Sequence, residues 1–133
     1  MSMAFEVRLD GPFDDALERV GAALKEQGFG ILTRIDVKGT LKEKLDIDFR
    51  DYVILGACNP VLAHRALSSR PDVGLLLPCN VTVEKTEGGV VVKIADPAIM
   101  MATGGFENDE VVAGVAAEAR KLLVQAAEVL NKK

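Results

Sequence analysis

Polarity alternates over residues 3–9: Phe5, Val7 and Leu9 point one way and Glu6 and Arg8 the other, the period-two pattern of a half-buried strand. The spacing then lengthens. Phe13, Leu17, Val20 and Leu24 recur every three or four positions, which predicts a helix. Asp10 or Gly11 leads into it, Pro12 suits its first turn, Asp14 and Asp15 suit its dipole, and Gly28 stops it. Residues 29–37 predict a second strand. Thr40-Leu41-Lys42-Glu43 fits a capping box, in which threonine and glutamate satisfy each other's backbone donors, so a short helix is expected to run to about Asp46.

Residues 50–58 are apolar on both faces in the middle, as a central strand requires. Asn59-Pro60 reads as an N-cap followed by a first-turn proline, so a helix is expected from there to about Arg70. Gly74 and Pro78 bracket three leucines and leave residues 71–78 without a clear element. Two alternating runs then flank Glu87-Gly88-Gly89, where glycine supplies positive φ, and predict a hairpin. Asp96-Pro97 is expected to terminate its second strand and residues 98–106 to be a connector. The last helix is expected from about Asn108, with Val112, Val115, Ala119, Leu122, Ala126 and Val129 as its apolar stripe.

This order gives five strands, with long helices near both ends and most strands between them. The expected fold is α+β: a two-layer sandwich, its largely antiparallel sheet covered by helices on one face, in a single domain over residues 1–133. A doubly wound parallel sheet would need a crossover helix after each strand, and the hairpin breaks that pattern.

The composition narrows function mainly by exclusion. Sixteen basic residues against twenty acidic ones leave a net charge of −4, the wrong balance for a nucleic-acid binder. MSMAFEVRLD is not a secretory leader, and no run approaches the roughly 20 apolar residues of a membrane span, so neither membrane nor nucleic acid is expected as a partner. Two cysteines are too few for a disulfide-built secreted fold, and the expected compartment is the cytoplasm. No phosphate-binding glycine loop or dinucleotide fingerprint is present, so no cofactor is expected.

The remaining chemistry is Cys58, Asn59, His64, Cys79 and Asn80. Cys58 ends a strand just before a helix cap, where the helix dipole would lower a thiol pKa. Cys79 begins a strand, and if the two strands are antiparallel neighbours the thiols meet at one edge of the sheet. Both cysteines sit in apolar surroundings, and packing as small hydrophobes is the economical reading. The alternatives are a thiol-dependent redox protein or enzyme, a disulfide, and a zinc site of Cys58, Cys79 and His64 that lacks a fourth ligand. Asn59 is most simply an N-cap and Asn80 the holder of a backbone bend. Met100-Met101 reads as core filling or pocket lining, and Asp46, Asp48 and Asp51 as a solvated loop.

YVILGACNPVLAHRAL, GLLLPCNVTV and ADPAIMM, with LKEKLDIDF before them, resemble the family called domain of unknown function 302 over nearly the whole chain. The resemblance implies a β-α-β(4)-α domain and a homodimer, and no established reaction, cofactor or substrate. It carries over Cys58, Asn59, Pro60, His64, Pro78, Cys79 and Asn80 as candidates without roles. The function expected is a small-ligand binding or interaction module with an unidentified small molecule as ligand, in preference to the alternative of a thiol-dependent enzyme, since only one base accompanies the thiols and no third group orients it.

Overall fold

The computed structural model describes residues 2–132. Five strands, β1 (Ala4–Leu9), β2 (Gly30–Asp36), β3 (Tyr52–Cys58), β4 (Cys79–Thr86) and β5 (Gly89–Ala95), form one sheet in the order β1-β5-β4-β3-β2, and every neighbouring pair is antiparallel. The helices are α1 (Phe13–Glu26), α2 (Val37–Leu45), α3 (Pro60–Ser69), α4 (Pro97–Thr103) and α5 (Glu110–Asn131), with a 3-10 turn over Pro71–Leu76. The α+β class and the antiparallel sheet are those expected from the polarity pattern.

Alternation puts Val7, Leu9, Val53, Leu55, Val81, Val83, Val90, Val92 and Ile94 on one sheet face, all buried. Two amphipathic helices supply most of the opposing layer. In α1 the buried set is Ala16, Leu17, Val20, Ala23 and Leu24; in α5 it is Val112, Val115, Ala116, Ala119, Leu123, Ala126 and Leu130. The α5 stripe slips by one residue from the expected one near its end: Leu123 and Leu130 face the core and Val129 is exposed. The expected stripe steps alternately three and four residues, about 3.5 per turn, which drifts against the helical 3.6 over 22 residues, so the helix buries the neighbouring position instead.

Two other expectations need correction, and both turn on caps. α2 begins at Val37, not after Thr40, because Asp36 takes the N-cap and accepts from the Gly39 backbone N–H at 3.1 Å. Residues 98–106 are not merely a connector. Asp96 accepts from the Ala98 N–H at 2.9 Å, Pro97 fills the first turn, and α4 follows. The buried Asp96 carboxylate also accepts from Arg120 Nε at 3.1 Å, which ties the start of α4 to α5. Asp109 caps α5 by accepting from Val112 N–H, and the Ser69 hydroxyl donates to it. These bonds hold the Asp109 carboxyl below its usual range, the Val112 N–H first among them.

β3 is pinned from both sides at Gly56. A Cβ there would overlap Thr33 Oγ1 on β2 and stand 2.6 Å from Pro78 Cγ, just ahead of β4. Thr33 can rotate, but the proline ring cannot. Gly56→Ala is therefore expected to lower stability by about 1–3 kcal/mol, the usual penalty of overpacking, read as a lower urea midpoint at unchanged m-value.

Candidate functional site

Ala57 on β3 lies directly opposite Cys79 on β4. Cys58 is the next residue, so the two cysteines are diagonal neighbours at the same end of the sheet. The end of β3 thus lies beside the start of β4, as expected, and both are interior strands; the edge strands are β1 and β2. Both thiols are free and half-buried.

Beneath them lies a hollow of about 40 Å³. Ala57, Cys58 and Cys79 form its sheet side, Leu62, Ala63 and Ala66 of α3 one wall, and Val115, Ala116 and Ala119 of α5 another. Pro97 and Met101 of α4 close it, with Phe29 and Leu77. Five of these residues are alanines, whose short side chains leave the space unfilled. The lining is apolar apart from the two thiols and Asn59. Larger hollows on the molecule are open grooves, such as the one bounded by Arg8, Asp10, Arg19, Glu26 and Lys132, and neither cysteine lines them.

The electrostatics reverse one expectation. Cys58 does precede a capped helix: Asn59 Oδ1 accepts from the Leu62 N–H at 3.2 Å, and Pro60 begins α3. Yet burial raises the Cys58 thiol above its ordinary value. Cys79 is deeper; burial first, and the nearby Cys58 second, push it up to about 11. Loss of solvation favours the neutral form of both thiols, so neither is an activated thiolate. Neutral Cys79 is favoured in the fold over the unfolded chain. That contribution is complete below the unfolded pKa, about 8.5, and fades as the pH rises toward the folded value.

His64 is elsewhere. It sits on α3, but Leu62, Ala63 and Ala66 face the hollow and His64 is exposed. Among the described residues no group of three His, Cys, Asp or Glu side chains is placed to hold a metal. This removes the alternative of a zinc set of Cys58, Cys79 and His64, because helical spacing turns His64 away from the hollow. Asn80 is exposed on β4 opposite Gly56 and outside the hollow. Met101 was legible only as one of two adjacent methionines; it is buried in the hollow's wall, carried there by the helix that Asp96 caps. Among the described residues no helix is long and apolar enough to cross a membrane.

Comparison with known proteins places this architecture. The family model described as "Domain of unknown function DUF302" matches residues 5–130. A crystal structure of an uncharacterized conserved DUF302 protein from Bacillus stearothermophilus is similar at a TM-score of 0.85 and 30% identity, covering 98% of this chain and 99% of that one. No curated protein matches.

The raised thiols carry a prediction. At pH 8 a thiol of pKa near 11 is about 0.1% ionised, against roughly a quarter for a free cysteine. Cys79 should alkylate with iodoacetamide on the order of a hundredfold more slowly than a free thiol, and after Cys58, by peptide mass spectrometry. Reaction of Cys79 at the free-thiol rate would contradict its desolvation.

Proposed function

This chain belongs to the DUF302 family, and on that premise we propose that it is a homodimeric binding module whose ligand site is the hollow behind Cys58 and Cys79. The observation that carries the reading is the lining of that hollow: apolar walls from four elements converge on two thiols and little else that is polar. Its size sets the scale of the ligand. About 40 Å³ exceeds the roughly 10–15 Å³ that admits one water-sized sphere and falls far short of the roughly 300–1,000 Å³ of sites for drug-sized molecules. The ligand is a monatomic or very small species, or a small apolar tip of a larger one. Binding is favoured over thiol catalysis because both thiols are raised, and a nucleophilic cysteine needs the opposite shift. Free, reduced thiols fit a reducing compartment such as the cytoplasm.

The dimer is supported by β2. It bonds to β3 alone, leaving its other backbone edge open, and all its residues are exposed. Leu32 is 66% exposed, and Ile31, Ile35, Leu45 and Ile47 in the same β2–α2 segment are exposed too. An open edge of this kind, carrying aliphatic side chains, pairs with another chain unless something covers it. A second copy laid along β2 would bond the edge and bury those side chains.

Light scattering on the eluting protein should give twice 14.2 kDa, and Leu32→Lys or Ile35→Lys should return the mass to one chain. A monomeric parent would overturn the dimer. For the hollow, a thermal-shift panel of small apolar solutes and soft metal ions should raise Tm in the parent and not in Ala63→Val, which adds two carbons to the lining. No shift with any member would overturn the site.

A further inference from the structure

The hollow holds a third sulfur. Met101 lies in its wall on α4, across from the strand ends that carry Cys58 and Cys79, and is buried. Three sulfur-bearing residues, from β3, β4 and α4, therefore line one small apolar space. No carboxylate and no histidine lines it. Building on the reading of this hollow as the ligand site, we propose that its occupant is a soft monovalent metal ion, copper(I) or its analogue silver(I), held by Cys58, Cys79 and Met101.

The donor set selects the ion. Thiolate and thioether are soft ligands that favour copper(I), whereas calcium and magnesium require oxygen donors and structural zinc takes four nitrogen or sulfur ligands. Copper(I) and silver(I) are stable with two or three ligands, the number this hollow offers. The enclosure suits the ion as well. Alanine and valine side chains of α3 and α5 keep water and hard ligands from its remaining positions.

Binding involves no electron transfer. Each cysteine exchanges its S–H bond for a sulfur–metal bond and releases its proton to solvent, while Met101 Sδ donates a lone pair and loses nothing. Two thiolates and one monovalent cation leave one negative charge. Cys58 immediately precedes Asn59, the N-cap of the ten-residue α3, so this charge rests at the positive end of that helix. Met101 is also a ligand whose position depends on a distant bond. The buried Asp96 caps α4 and pairs with Arg120, which fixes the helix that carries the thioether.

The test is a titration of the full, reduced chain with silver(I) under anaerobic conditions, with zinc(II) in parallel. The readouts are metal retained after desalting and the ultraviolet thiolate-to-metal band. The expected result is saturable retention of one silver ion per chain, little zinc, loss of silver in Cys58→Ser and Cys79→Ala, and unchanged binding in His64→Ala. Met101→Leu conserves volume and so keeps the fold even if a cysteine variant does not; it should weaken binding roughly tenfold or more, at least the cost of losing an outer partner of a metal site. No retained silver, equal retention of zinc, parent-like affinity in Met101→Leu, or loss of binding in His64→Ala would each overturn the assignment. If silver fails while apolar solutes still raise Tm in the parent and not in Ala63→Val, the hollow remains a ligand site and only the ion is wrong. If neither acts, both readings fall.

Discussion

The register of β3 against β4 is the constraint on which the site depends. Ala57 opposite Cys79 brings Cys58 to the same corner, and Gly56 one pair further in allows Thr33 and Pro78 to close on the strand from either side. A slip of one residue would turn Val53, Leu55 and Ala57 away from the helices, so the buried face fixes the register that the thiols inherit. The corner is then roofed by what must follow. Asn59 starts α3 directly above β3, and Asp96 starts α4 directly after β5. The same cap-then-proline device is used twice, and each time it launches a helix into the wall of the hollow.

That corner also shows two effects opposed on one atom. A helix N-terminus stabilises a thiolate by about 0.3–1 kcal/mol when exposed, and the stabilisation fades within a turn. Removing a thiolate from water opposes this, and burial raises both Cys58 and Cys79. With no positive charge among the residues lining the hollow, the thiols stay neutral until something compensates the loss of the proton.

Much of the fold was legible because the two periods are distinct: alternation over 3–9 and across the hairpin, and three-to-four spacing in α1 and α5. The closeness of the thiols was legible too, from element order alone. What failed were competitions between local signals. Asp36 outbid Thr40 for the cap of α2, and the first residue to complete a turn sets the start. Asp96-Pro97 carried the same signal as Asn59-Pro60, but the strand before it made termination the simpler reading. The place of Met101 in the wall followed from that helix and was hidden with it. The exposure of His64 needed the phase of α3, which Leu62 and Ala66 set by packing inward. The hollow itself is an absence of volume made by alanines on three elements, and no pattern along one segment reveals it.

The uncovered edge raises a different question, because four of the five strands are held by burial and β2 is not. β1, the other edge, keeps Val7 and Leu9 buried and touches α5. β2 buries nothing, and α2, which follows it, buries nothing either. An element with an apolar sequence and no buried residue gains little of the hydrophobic stabilisation that offsets the cost of ordering its chain. Its pairing with β3 supplies one side of a ladder, and Phe29 anchors the entrance to the strand in the core. Phe29 also lines the hollow, and Gly30 stands opposite Cys58, so whatever covers β2 orders the strand that borders the thiol corner. The one strand without buried side chains is thus also the strand that borders the thiol corner.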